Sequence, residues 1–203
     1  MLRFIPNILT LGRFVLTIIF LVMVLCLSSV DEEGKTRFLD IAFILFLIAG
    51  VTDILDGKLA RKLNVTSKFG RMMDPLADKV LVCGSFICFA IIGEPKLFTL
   101  SGPTLSMIHW FTAAVIILRE VFVTIIRHRA EARGVNFAAT KAGKMKMLLQ
   151  SITIGTIVVK MAHVPEAAWG NWFTAIVLTA TVIVTIYSGL NYAQRKRKEP
   201  VEQ

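Results

Sequence analysis

The stretch "DILDGKLARKLNVTSKFGRMMDPLADK", residues 53–79, carries four aspartates, Asp53, Asp56, Asp74 and Asp78, inside a chain that is otherwise largely apolar. Asp53, Asp56, Gly57 and Ala60 are spaced 0, +3, +4 and +7, which on an α-helix is one stripe. The stripe pairs two carboxylates with two residues that have almost no side chain, leaving a concavity in which another group can approach. Asp74 and Asp78 lie one helical turn apart on one face. Asp74 precedes Pro75, so the local rules make Asp74 an N-cap and Pro75 the first helical residue. "KLNVTSKFGR" between the two pairs reads as a loop, with Gly70 available for a sharp turn.

The surroundings set the class. The 203 residues are 55% hydrophobic with a mean hydropathy of +0.69, which suits a multi-pass membrane protein. A bilayer core about 30 Å thick takes roughly 20 apolar residues per helix. Six spans are expected, at about 7–28, 38–62, 75–93, 106–130, 140–162 and 170–193, giving an all-α polytopic membrane protein with one membrane domain over residues 1–203. The first span reads as mature protein rather than a cleaved leader, because Arg13 sits near its start and no small-x-small site precedes "VDEEGK".

Charge gives the orientation. Of the Lys and Arg residues only Lys35, Arg37, Lys96 and Lys160 fall at one end of these spans; all the others fall at the end that holds the aspartates. The positive-inside rule puts the richer end, and both termini, in the cytoplasm, and a bacterial inner membrane is the expected location. A formal net charge of +9 concentrated on that face is ordinary for such a protein, so nucleic acid is a poor reading, while anionic headgroups or phosphorylated substrates fit. Cys26, Cys83 and Cys88 lie in apolar runs without Cys-x-x-Cys spacing and read as small core residues. His109, His128 and His163 are scattered and suggest no His-based metal site, and Trp110, Trp169 and Trp172 fall near span ends, where interfacial aromatics are expected.

Four like charges on neighbouring helices repel, and burying them costs several kcal/mol each unless cations neutralise them. Lys58, Arg61, Lys62 and Arg71 could do so as a surface salt-bridge set, but they lie largely off the Asp–Gly–Ala stripe. A compact all-oxygen site for hard divalent cations, Mg²⁺ or Mn²⁺, accounts better for the pattern. Four carboxylates can hold two ions, an arrangement that recurs in enzymes moving phosphoryl groups. A divalent-cation transporter is the reading from another class; the position of the motif at the membrane edge and the lack of paired Gly/Pro helix breaks count against it.

Two further regions bear on chemistry. In "IPNILTLGR" Asn7, Thr10 and Arg13 fall at i, i+3 steps, a polar edge on an apolar helix that also suits an interfacial cap and a positive-inside anchor. In "LREVFVTIIRHRAEARGVNFAATKAGKMKMLLQ", Arg119 and Glu120 lie well inside an apolar helix, where ionisable residues are functional candidates by default. Arg119 with Arg127 and Lys144 could form a pocket for a phosphate. Neighbours at i, i+1 do not face each other on a helix, so Arg119 is expected to face the cavity of Asp78 rather than Glu120. Arg129, Lys141 and Lys146 read as topology markers.

Asp53-x2-Asp56-Gly57-x2-Ala60-Arg61-x8-Gly70-x3-Asp74-x3-Asp78 resembles the signature of the CDP-alcohol phosphotransferase family at all eight fixed positions over 26 residues. The resemblance implies a six-helix membrane enzyme, usually a homodimer, in which an acceptor hydroxyl displaces CMP from a CDP-linked donor. Carried over by position, it implies Asp53, Asp56 and Asp74 as the principal metal ligands, and Asp78 as a residue at the metals that serves as general base. It also puts Asp53, Gly57, Ala60, Arg61 and Gly70 at the CDP donor. Pro6-Asn7-x-Leu9-Thr10-x-x-Arg13, Arg119-Glu120, Arg127, Arg133-Gly134, Gly143-Lys144, Gln150 and "SGLNY" (188–192) are similar to the phosphatidylglycerophosphate synthase branch of that family. That likeness implies CDP-diacylglycerol as donor and sn-glycerol 3-phosphate as acceptor, with Arg119, Arg127, Lys144, Asn7, Thr10 and Arg13 on the acceptor's side. Phosphatidylglycerol as acceptor, the cardiolipin synthase reaction, is the rival within the family.

The expected topology has a direct check. A cysteine introduced at Gly34 should react with an impermeant thiol reagent applied to intact cells. Reaction only after the membrane is opened would reverse the orientation.

Overall fold

The computed structural model describes residues 5–63, 68–131 and 141–198, with side chains described outside 5–9, 53–74, 131–142 and 195–198. The described residues form six long helices: α1 (Ile5–Leu25), α2 (Glu32–Leu63), α3 (Lys68–Ile92), α4 (Gly102–Glu131), α5 (Lys141–His163) and α6 (Ala168–Lys198). A 3₁₀ turn, Cys26–Ser29, follows α1. Among the described residues five of the helices, all but α2, are long and apolar enough to cross a membrane. The chain is therefore an all-α polytopic membrane protein. All six expected spans coincide with helices, and most helices overrun the expected limits at their polar ends. Hydropathy marks only the lipid-crossing part of a helix, whereas intrahelical hydrogen bonding continues beyond it.

α1 packs against both α2 and α3, α5 against α2 and α6, and α4 against α3 and α6. The residues that face inward explain this. On α1 the buried positions are Thr10, Arg13, Thr17, Phe20 and Val24, in 3- and 4-residue steps, while Leu11, Val15, Ile18, Ile19 and Val22 point outward. Outward apolar side chains are the expected surface of a helix in lipid. On α2 the inner stripe is Leu39, Ala42, Phe46 and Ala49, and Glu32 and Glu33 in the first turn complement the helix dipole. Phe20 and Phe46 meet with ring centroids 5.5 Å apart. Close approach of α1 and α3 is allowed by Gly84, where a Cβ would lie 2.7 Å from Leu21 Cδ1.

The α2–α3 connection departs from the expectation. α3 begins at Lys68, so Pro75 lies inside the helix and Asp74 is helical rather than an N-cap. Gly70 sits on the first turn of α3 rather than in a loop, and only residues 64–67 of the connection lie outside the described residues. Pro75 lacks the N–H that would bond the Arg71 carbonyl, so about two turns into α3 the helix forfeits one hydrogen bond. The bias of X-Pro against helix is a preference, and here the helix runs through it. Cys26 also departs: it is exposed beside the end of α1, whereas Cys88 is buried and Cys83 partly so. Trp169 and Trp172 are exposed at the start of α6, as expected of interfacial aromatics.

At the end of the bundle opposite the aspartates, polar contacts tie the helices together. His163 Nε2 lies 2.8 Å from Asp40 Oδ1, and Thr36 Oγ1 donates to the Ala162 carbonyl at 3.3 Å. The apolar core gathers Phe20, Phe46, Phe86, Phe89, Ile116 and Ile154.

Hydropathy alone does not separate the two faces of α1, but burial does: Phe20 is 0% exposed and Ile18 41%. Phe20→Ala should cost about 3–5 kcal/mol in mixed-micelle unfolding, the range for emptying an aromatic core site. Ile18→Ala should cost far less. Equal losses would show that the inner face of α1 is wrongly placed.

Candidate active site

Asp53 and Asp56 lie on the last third of α2, and Asp74 and Asp78 on the first half of α3. Because α1 packs on both helices, the four positions gather at one end of the bundle. The side chains of Asp53, Asp56, Gly57, Ala60, Arg61, Gly70, Asp74 and Asn7 lie outside the described residues. Asp78 is described. It is partly buried, and the Arg13 guanidinium of α1 approaches it with Nη2 at 3.7 Å from Oδ1. Arg13 is itself buried, as is Thr10 one turn before it. The polar edge expected on the first helix is thus an inward face, and Arg13, expected on the phosphate side, stands against a carboxylate of the aspartate group.

As a donor set, four aspartates on two consecutive helices that both pack on α1 are hard oxygen ligands and fit a hard divalent cation. Among the described residues no three His, Cys, Asp or Glu side chains come together in a way that could hold a metal ion; three of the four aspartates stand outside that set.

A second charged group joins α4, α5 and α6. Arg119 Nη1 donates to Glu120 Oε1 at 3.1 Å, Lys146 Nζ donates to the same oxygen, and Arg119 Nη2 donates to Ser188 Oγ at 2.6 Å. The guanidinium carbon lies 5.6 Å from the Tyr192 ring centroid, within cation–π range. The arrangement corrects the expectation that Arg119 turns away from Glu120. Adjacent residues leave a helix about 100° apart, but both side chains are long enough to curl into the same interhelical space. Gly189 makes room for the Arg119 stem, since a Cβ there would lie 3.4 Å from Cγ.

The basic residues expected together separate. Lys144 and Arg127 are exposed, and Arg127 Nη2 makes a long 3.5 Å contact with the Tyr192 hydroxyl; Arg129, expected to mark topology, is exposed as well. Lys146, expected to mark topology, is instead buried on the carboxylate. Residues two apart on a helix differ by about 200° around the axis, so Lys144 and Lys146 cannot share a face. Lys146 also lies within electrostatic reach of Asp78, so the two charged groups adjoin. Among the described residues two cations thus share the Glu120 carboxylate in a desolvated place, with Asp78 the adjoining acid.

A signal for Lys146 was present in the sequence. Lys146, Gln150 and Thr153 recur at +4 and +3 on an otherwise apolar helix, and all three are buried. Thr153 Oγ1 meets Thr181 Oγ1 of α6 at 2.6 Å. Gln150 is 0% exposed, and neither of its amide atoms has a hydrogen-bond partner. The opposite face of the site is lined by Thr181, Thr185, Ser188 and Tyr192 of α6, all buried.

Comparison with known proteins gives the family. The family model described as CDP-alcohol phosphatidyltransferase matches residues 3–187. A Bacillus subtilis protein named CDP-diacylglycerol–glycerol-3-phosphate 3-phosphatidyltransferase is 35% identical over 92% of this chain and 92% of its own length. A Haemophilus influenzae protein of the same name is 32% identical over 76% of each chain. A probable phosphatidylglycerophosphate synthase of Mycobacterium tuberculosis is 28% identical over 95% of this chain and 81% of its own length. With an all-helical membrane bundle and the eight-residue aspartate motif on α2 and α3, the chain belongs to the CDP-alcohol phosphatidyltransferase family.

Proposed function

We propose that this chain transfers a phosphatidyl group from CDP-diacylglycerol to sn-glycerol 3-phosphate, giving phosphatidylglycerophosphate and CMP. The observation that carries the reading is the Asp53–Asp78 motif on α2 and α3, the two helices on which α1 packs, with Lys146 of the Arg119–Glu120 group within electrostatic reach of Asp78. The names of the Bacillus and Haemophilus relatives state the same donor and acceptor for those proteins.

The residues divide the work. Asp53, Asp56 and Asp74 would hold two Mg²⁺ or Mn²⁺ ions, with Asp78 beside them. When bound, such ions neutralise the diphosphate and the charge that develops on departing CMP. Asp78 takes the proton of the acceptor hydroxyl as its oxygen attacks the phosphorus that bears the diacylglycerol. The bond from that phosphorus to the bridging oxygen breaks, and the oxygen leaves with CMP. Arg13 at 3.7 Å fixes the Asp78 carboxylate in position from α1. On the donor's side Gly57 and Ala60 leave room for the nucleotide, with Asp53, Arg61 and Gly70 close by.

The acceptor carries a phosphate that is not part of the donor. Arg119 and Lys146 share one carboxylate between two positive charges, and the acceptor's phosphate is a further anion for them. Arg127, Lys144, Asn7, Thr10 and Arg13 complete the acceptor's approach from the same end. We further propose one membrane domain over residues 1–203, working as a homodimer in a bacterial cytoplasmic membrane. The charge distribution supports placing both termini and the aspartates on the cytoplasmic side.

An acceptor screen on purified protein tests the reaction. CMP release from CDP-diacylglycerol should require glycerol 3-phosphate and a divalent cation. Phosphatidylglycerol in place of glycerol 3-phosphate should give none, and release with it would reassign the acceptor. Asp53→Asn and Asp56→Asn should abolish turnover in protein that still folds and inserts. Full activity of either at ordinary Mg²⁺ would overturn the metal assignment. Arg119→Lys keeps charge but loses the planar fork, so it should weaken use of glycerol 3-phosphate by about 1–3 kcal/mol, read as kcat/KM, with donor KM little changed. A loss confined to the donor would move Arg119 to the nucleotide site.

A further inference from the structure

Near the end of the bundle away from the aspartates, a cavity of about 460 Å³ lies between α2, α5 and α6. Its walls are apolar, with Phe46 on α2, Ile152 on α5 and Phe173 on α6. Gly155 keeps the α5 wall low: a Cβ there would come 3.3 Å from Phe43 Cε2. Along α5 the lining runs from Ser151 to Lys160, about 14 Å at the rise of an α-helix.

Ser151, Thr156, Lys160 and Thr174 interrupt this lining, and two of them, Lys160 and Thr174, are buried without a full set of protein partners. Lys160 is 4% exposed. Its Nζ donates to the Lys96 carbonyl at 2.8 Å and the Pro165 carbonyl at 2.9 Å. An ammonium has three N–H donors, so one remains, and the positive charge has no carboxylate within ion-pair distance among the described residues. Glu94 has its carboxylate on the Lys96 amide, 2.8 Å away. Thr174 is 1% exposed, and its Oγ1 has no hydrogen-bond partner.

An apolar channel with a cation at its end that no carboxylate contacts directly, and an orphaned hydroxyl in its wall, matches one ligand chemistry. The channel takes a hydrocarbon chain, the cation takes an anionic headgroup, and the hydroxyl donates to an ester carbonyl. We propose that this groove binds one anionic glycerophospholipid from the leaflet opposite the aspartates. One acyl chain lies along Phe46, Gly155 and Phe173, the phosphate meets Lys160, and an ester carbonyl accepts from Thr174. A zwitterionic lipid carries its own cation beside the phosphate, so net charge is what Lys160 selects. The site is remote from the proposed reaction and does not depend on it.

Trp169 lines the groove and serves as the probe once Trp110→Phe and Trp172→Phe leave it as the sole tryptophan. The protein is reconstituted in phosphatidylcholine vesicles, and Trp169 quenching by dibrominated-acyl phosphatidylglycerol is compared with quenching by dibrominated-acyl phosphatidylcholine. Phosphatidylglycerol should bind about fivefold more tightly, the factor given by about 1 kcal/mol for one basic residue near the membrane surface. Lys160→Arg should keep the preference and Lys160→Gln should erase it. Gly155→Leu, which fills the channel without touching the charge, should abolish quenching by either lipid at this site, so the test does not rest on the Lys160 variants folding. Equal quenching by the two lipids in the unsubstituted groove would overturn the proposal, as would a preference that survives Lys160→Gln. Protection of Trp169 from both lipids that appears only in dimers would do the same, and would assign the groove to a second copy of the chain.

Discussion

Glu120 accepts from both Arg119 and Lys146, so this shared carboxylate ties α4 to α5, and Arg119 extends the group to α6 by donating to Ser188. Removing one member of such a buried group leaves a charge without compensation, which costs far more than the pair contributes when whole. Among the described residues the group joins two cations to one carboxylate, with Asp78 within electrostatic reach of Lys146.

Lipid around the bundle explains why polar residues gather inside it. Apolar side chains gain nothing from leaving lipid for the interior, so packing and hydrogen bonding, not hydrophobic burial, decide what faces inward. α6 shows the outcome. Its buried positions Asn171, Thr174, Leu178, Thr181, Thr185, Ser188 and Tyr192 recur in steps of three and four, and six of these seven carry a polar group. Small hydroxyls let helices approach closely, as Thr153 and Thr181 do across α5 and α6. Outward positions such as Ile176, Ile183 and Leu190 are exposed and apolar. A hydropathy profile averages these faces and sees only a span.

That averaging sets what could be read from the sequence. Helix number, approximate limits and the aspartate pairs were legible because each rests on local pattern: run length, or spacing within one helix. The Asp74–Pro75 boundary was misread because a rule about one dipeptide was set against a helix that continues through it. Lys146 was misread for the opposite reason. Its partner Glu120 belongs to another helix, and the basic run Lys141, Lys144, Lys146 taken by itself does not separate the buried lysine from the exposed Lys144 two residues before it. The polar repeat Lys146–Gln150–Thr153 carried the information, but an amphipathic pattern in a membrane helix is inverted, and polar periodicity has to be sought where apolar periodicity is usual.

The two ends of the bundle use the same physics to different effect. At the aspartate end, carboxylates, Arg13, Arg119 and Lys146 converge from α1, α3, α4 and α5, and charge is crowded into a small volume. At the other end Lys160 is a single cation held by two backbone carbonyls. Carbonyl dipoles take up two of its three N–H donors, and among the described residues no carboxylate pairs with it directly. Both ends lie on the same helices: α5 carries Lys146 at one end and Lys160 at the other, and α6 carries Ser188 and Thr174.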